Sequence, residues 1–160
     1  MERNFKPKIV VGLAVAIPSL QRTFKPKIDA DLATHSGAIL ISLGHEFGGL
    51  FTNDDDLANE LLGAGQSSGD KLWRQPMADA FDKLIDSPIA DMKNVGPREG
   101  GSITAPQFIK RFVEDGTRWA HLDIAGMAWS DKPNTTYDKG ATGFGVRVID
   151  RFVEASVEAR

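Results

Sequence analysis

Residues 9–17 form an unbroken apolar run, Ile-Val-Val-Gly-Leu-Ala-Val-Ala-Ile. A run without alternation, rich in β-branched residues, predicts a strand covered on both faces and so a mainly parallel sheet. Residues 28–33 predict a second buried strand, which breaks into a turn of small residues at Thr34, Gly37 and Ala38. Such a turn lets backbone approach a ligand closely. Asn53-Asp54-Asp55-Asp56 precedes the apolar positions of residues 57–62, which predicts a helix capped by Asn or Asp and ended by Gly63 or Gly65. Leu72-Trp73 and residues 80–85 predict a short helical piece interrupted by Pro76 and closed before Pro88. Thr104-Ala105-Pro106-Gln107 predicts a capping box with proline in the first helical turn. Residues 119–126 predict a strand that ends at small residues, and the glycine-rich residues 140–145 predict a bend. The bend leads to a closing amphipathic helix with Val146, Ile149, Val153 and Val157 on its apolar face. This order of elements predicts an α/β layered sandwich with a mainly parallel sheet flanked by helices.

The composition narrows function without naming it. A chain of 160 residues with 41% hydrophobic residues and a formal net charge of -3 suits a single soluble domain and has no basic surplus for nucleic acid or an anionic membrane. No cysteine is present, which removes disulfides, thiolate nucleophiles and Cys-ligated zinc, and fits a cytoplasmic setting. Arg3, Lys6 and Lys8 before residues 9–17 resemble the start of a signal peptide, but Pro7 and Pro18 bracket the run and it is too short to cross a bilayer. Phe5-Lys6-Pro7-Lys8-Ile9 recurs as Phe24-Lys25-Pro26-Lys27-Ile28, too little for a repeat architecture.

Candidate chemistry is sparse when read residue by residue. The acidic triplet of residues 54–56 lacks the alternating ligands and terminal Glu of a calcium loop. His45 beside Glu46, and His121 two residues before Asp123, are the only imidazoles near a carboxylate in sequence. Neither has the spacing of a helical zinc motif. Strand alternation places His121 and Asp123 on one face, which predicts a hydrogen-bonded structural pair ahead of a metal or general-base site. Residues 140–145 lack the Lys-Ser/Thr ending of a phosphate loop, and no Gly-x-Ser-x-Gly elbow occurs.

A string of ordered segments carries more. Lys25-Pro26-Lys27, Asp31-Leu32-Ala33-Thr34 with Gly37-Ala38, Leu43-Gly44-His45-Glu46 and Gly49-Leu50-Phe51 are followed by Leu72-Trp73-Arg74 and Ala90-Asp91-Met92-Lys93-Asn94. Gly101-Ser102-Ile103-Thr104-Ala105, Trp119-Ala120-His121-Leu122-Asp123-Ile124-Ala125-Gly126 and Lys139-Gly140-Ala141-Thr142-Gly143 complete the series. From Phe24 onward the chain resembles the C-terminal catalytic domain of the leucyl (cytosol) aminopeptidases.

That resemblance implies a peptidase family that uses two divalent ions, zinc or manganese, to polarise a peptide carbonyl and hold a hydroxide. The family's Asn-Thr-Asp-Ala-Glu-Gly-Arg segment, which supplies part of the metal cage, has no counterpart in this sequence. No metal ligand or catalytic residue is therefore carried over, no cofactor is expected for this chain, and hydrolysis by the chain alone is not expected. What the resemblance does imply is a wall for the peptide's N-terminal side chain: Thr34, His35 and Gly37 on one side, Ala125 and Ala128 on the other. His35 and Ser36 stand where the family usually has Leu and Thr.

Residues 20–23 read as a junction from which several dozen family residues are excised, dividing the chain into residues 1–23 and residues 24–160. With so short a connection the first strand is expected not to sit beside the second as it does in that family unless it pairs antiparallel, stays at an edge, or docks on another subunit. The resemblance implies a peptide N-terminus as ligand, with homo-oligomers or association with related subunits. Two other readings accompany it: an assembly or regulatory module, and a hydrolase with a rearranged metal site at Asp29, Asp31, His121 and Asp123.

Overall fold

The computed structural model describes residues 9–12, 17–34 and 37–158. Strand β1 (Ile9–Gly12) leads through helix α1 (Ile17–Phe24) to β2 (Ile28–Ala33), the short helix α2 (Ile39–Leu43) and β3 (Gly48–Thr52). Helix α3 (Asp55–Ser68), β4 (Leu72–Arg74), α4 (Asp79–Asp82) and α5 (Gly101–Lys110) precede β5 (Arg118–Asp123). A small hairpin, β6 (Trp129–Ser130) and β7 (Gly140–Ala141), then delivers α6 (Val146–Val153). The larger sheet has the order β1-β2-β5-β3-β4, and its pairings are parallel except for β3 against β5. The fold is the expected α/β sandwich with a mainly parallel sheet.

The sheet separates two unlike layers. In β2, Ile28, Ala30 and Leu32 alternate with Asp29 and Asp31, and in β5, Ala120 and Leu122 alternate with Trp119, His121 and Asp123. Register aligns Ala30 with Ala120 and Asp31 with His121, so the buried acids and the imidazole gather on one face. The apolar face carries Leu50, Ala120 and Leu122 against Leu57, Leu61 and Ala64 of α3 and Val148 and Phe152 of α6. The opposite face packs Trp119 on Ile17 of α1 and Ile109 of α5, and Phe51 on Ile39 and Ile103.

Several sequence expectations give way here. The apolar run of residues 9–17 is not one strand: β1 stops at Gly12, and Ile17 is a fully buried helical residue. Residues 13–16 lie outside the described residues; helix α1 stands between the two strands in the chain, and β1 pairs parallel to β2, with Ile9 beside Ile28, at the sheet's edge. Leu72-Trp73 is strand rather than helix, because three residues suffice to pair with β3. β3 has no counterpart in the sequence expectations, because Gly48-Gly49 depresses strand propensity.

Helix boundaries move for identifiable reasons. Asp54 caps α3 as expected, accepting the Leu57 N–H at 2.6 Å, but the helix runs past Gly63 and Gly65 to Ser68. Helix α5 begins at Gly101, so Pro106 lies inside it, and the Thr104 hydroxyl donates to the Gly101 carbonyl instead of capping. The buried face of α6 is Val148 and Phe152, whereas Val146 is exposed and the Val157 side chain lies outside the described residues. Asp70 sets that roll: its buried carboxylate accepts the N–H groups of Gly145 (3.0 Å) and Val148 (3.3 Å) and pairs with Arg147. Gly145 has φ +101°, and a Cβ there would stand 2.2 Å from Leu32 Cδ2. The expected glycine-rich bend is thus what admits the last helix.

Candidate functional site

Parallel strands present their carboxyl ends together, where α/β folds gather ligand-binding groups. At that end of β2 and β5, the Ile124 N–H donates to the Ala33 carbonyl at 3.0 Å, so Thr34 and Ala125 leave the sheet side by side. Thr34 and Gly37 are exposed, and Ala125 and Ala128 are half-buried. His35 lies outside the described residues. Ala125 packs on the cluster of Ile39, Phe51 and Ile103, and Met127 and Ala128 both donate backbone N–H groups to the Ile124 carbonyl at 2.9 Å. The Ala128 carbonyl in turn accepts the Thr142 N–H at 3.1 Å, which ties the rim to the β7–α6 bend. The structure therefore brings Thr34 and the Ala125 segment to one rim.

Gly126 locks this rim to the loop before β3. A Cβ at Gly126 would fall 2.1 Å from the Gly44 carbonyl oxygen, so only glycine lets the two backbones meet. His45 lies 2.7 Å from the Gly126 carbonyl through Nδ1, which must carry the proton because a carbonyl can only accept. The proximity of His45 to Glu46 in sequence is therefore not what defines its role.

Beneath the rim lies a buried polar row. The Asp31 carboxylate accepts the Trp119 indole N–H at 2.8 Å and meets His121 Nδ1 at 2.5 Å, and all three side chains are completely buried. The Trp119 and His121 rings stack with planes 12° apart. His121 thus finds a hydrogen-bond partner across the strand pair, in Asp31, rather than only the same-face Asp123 expected from alternation. Cross-strand neighbours lie closer than side chains two apart on one strand. Asp123, also buried, accepts the Ala125 N–H at 3.1 Å and so shapes the rim.

Asp29 extends the row away from the rim. One oxygen accepts the Gln21 side-chain amide at 2.8 Å, and Gln21 in turn accepts the Glu114 N–H at 2.7 Å. The other Asp29 oxygen is buried without a hydrogen-bond partner. Burial pushes the Asp29 carboxyl up to about 6, the Gln21 bond opposes the shift, and the neighbouring Asp31 adds to it.

These donors do not fit a pair of divalent ions. Among the described residues no group of three or more His, Asp or Glu side chains converges as a metal cage. The four residues of the rearranged-site reading share a sheet face, yet Asp31 already accepts two donors and Asp123 holds backbone. Each Asp31 oxygen thus already serves a buried donor, one the Trp119 indole and the other His121.

The chain as a whole has counterparts among known proteins. Residues 10–149 match the family model described as the cytosol aminopeptidase family, catalytic domain. The chain belongs to this family. A probable cytosol aminopeptidase of Bradyrhizobium sp. (strain BTAi1) is 56% identical over 137 residues, covering 86% of this chain and 27% of the relative. One from Ehrlichia ruminantium (strain Gardel) is 53% identical over 150 residues, covering 92% and 30% respectively. A solved tomato leucine aminopeptidase mutant superposes with a TM-score of 0.81 at 42% identity, covering 88% of this chain and 27% of that one.

The chain spans less than a third of the length of these cytosol aminopeptidase relatives. Their alignments correct one expectation. A match of 150 positions over 92% of the 160 residues leaves room for only a few gaps. The Asn-Thr-Asp-Ala-Glu-Gly-Arg segment is thus not excised at residues 20–23, where the connection between β1 and β2 is continuous with the family.

Proposed function

We propose that this chain is a leucyl aminopeptidase-like domain that offers the family's wall for a peptide's N-terminal side chain but does not hydrolyse peptides by itself. Thr34, His35 and Gly37 form one side of that wall and Ala125 and Ala128 the other, the small residues leaving room for a leucine-sized group. The observation that carries the second half is the engagement of Asp31 by Trp119 and His121, together with the use of Asp123 to hold Ala125. The acidic groups nearest the rim serve structure. When bound, the family's two ions would polarise the scissile carbonyl and supply the hydroxide; the described residues offer them no cage. The expected compartment is the cytoplasm, in keeping with relatives named cytosol aminopeptidases and with no described helix long and apolar enough to cross a membrane.

The test is turnover of leucyl-p-nitroanilide by the purified chain with added manganese or zinc. No metal-dependent release is expected. Turnover that co-purifies with the chain and is abolished by a chelator would refute the proposal. A second reading, association with related subunits, is supported by β1 ending one side of the sheet. A concentration-independent monomer in sedimentation, with no binding to a full-length homologue, rejects that reading.

A further inference from the structure

The end of the sheet that carries the rim also carries a groove of about 590 Å³ against edge strand β4, its walls including Phe47, Leu62, Gln66, Lys71, Leu72 and Trp73. Its most prominent residue is Trp73, 56% exposed, with the Phe47 ring meeting it edge-on at 5.6 Å between centroids. A large aromatic left in water beside an aliphatic wall is the side-chain type that dominates binding hot spots. The Lys71 ammonium stands 5.9 Å from the Phe47 ring centroid, and no described ion pair gives it a carboxylate. Arg74, by contrast, is paired with Asp55.

The backbone points the same way. β4 pairs with β3 alone, and the bonds from the Gly48 N–H to the Lys71 carbonyl and from the Gln75 N–H to the Leu50 carbonyl bracket the pairing. In a parallel ladder successive residues address opposite edges, which turns the backbone groups of Leu72 and Arg74 outward. An edge of this kind takes an added strand.

We propose that this groove binds an extended peptide segment laid along β4, with an apolar or aromatic side chain on Phe47 and Trp73 and a carboxylate on Lys71. The unpaired cation, the apolar lining and the open strand edge each select one part of that ligand. Register relates the groove to the rim: Gly49 lies opposite Asp123, so Phe47, two residues before, and Ala125, two residues after, lie at one end of the sheet. Lys71 is about two strand spacings from the rim, roughly 10 Å or three extended residues. The groove is therefore placed to take the downstream part of a peptide whose first residue occupies the rim. That placement rests on the function proposed above, whereas binding of the segment itself does not.

The experiment uses an N-acetylated pentapeptide containing Phe and ending in a free carboxylate, its C-terminal amide, and amide-resolved NMR of the full chain. The acetyl group keeps the probe off any site that needs a free N-terminus. Saturable shifts are expected at Phe47, Leu62 and residues 71–75, with the amide binding about tenfold more weakly than the acid. Trp73→Ala is expected to weaken both at least about tenfold, and Lys71→Gln to abolish the preference for the acid. The proposal is overturned by absence of saturable shifts there, by shifts centred on Thr34 and residues 125–128, by a Lys71→Gln variant that still prefers the acid, or by the edge being occupied by a second copy of the chain. A groove that responds while the rim ignores an unblocked peptide would sink the functional reading alone.

Discussion

The two faces of one sheet are built from opposite materials. Toward α3 and α6 the strands present Leu50, Ala120 and Leu122, whose packing is tolerant in direction and insensitive to pH. Toward α1 and α5 they present Asp29, Asp31, Trp119, His121 and Asp123, each buried and each dependent on a partner at a fixed distance. Both faces bury large apolar side chains, since Trp119 and Phe51 lie among the polar groups on the second. The polar face shapes the rim, because Asp123 holds Ala125 while Asp31 engages the rings beneath.

Substitutions that act on one face only should separate these roles. Phe152→Ala empties a fully buried ring position on the apolar face and should cost about 3–5 kcal/mol in urea unfolding, with little dependence on pH. On the polar face, Asp31→Ala strips the acceptor from the buried Trp119 indole and His121. A loss of about 3 kcal/mol is expected, together with altered Trp119 fluorescence that Phe152→Ala would not reproduce at equal stability.

Asp29 offers a sharper contrast because its sign is reversed. Its folded value of about 6 lies above the ordinary 3.8, so the folded state binds the proton more tightly than the unfolded chain. The contribution of Asp29 to stability is greatest below about pH 4, falls as pH rises through 6 and is constant above that. A shift of about two units corresponds to roughly 3 kcal/mol as an upper bound. Asp29→Asn should therefore stabilise the chain at pH 7.5 by up to about that amount and flatten its stability profile between pH 4 and 6.5. An unchanged profile would remove Asp29 from the account.

The smallest effect should come from Asp54, where the Arg118 guanidinium leads in holding the carboxyl below its usual range. Stability from this group is present above the ordinary carboxylate value and lost as pH falls below it, the opposite slope to Asp29. Removing the cap by Asp54→Ala should cost about 1 kcal/mol at neutral pH and less in acid. Thermal melts at pH 7 and pH 2.5 would check it.

The sequence made legible those features that depend on neighbours along the chain. An Asn or Asp cap before residue 57, the strands at residues 28–33 and within 119–126, the final helix and the small-residue turn were all visible as local patterns, and ordered motifs led to the family. What stayed hidden depends on register. Asp31 and His121 are 90 positions apart, and only the β2–β5 alignment joins them. β3 hid behind Gly48-Gly49, and the start of α1 behind an apolar run shared by strand and helix. Phe47, Lys71 and Trp73 become one groove only when β4 pairs with β3.

The central claim is that the acidic side chains below the rim are structural ligands of indole, imidazole and backbone rather than of metal. Its most direct test is metal content after dialysis of the purified chain against excess manganese and, separately, zinc. No stoichiometric ion is expected, and the Asp31→Ala variant should retain no less than the unaltered chain. Two ions per chain, lost on substitution of Asp31 or Asp123, would contradict it.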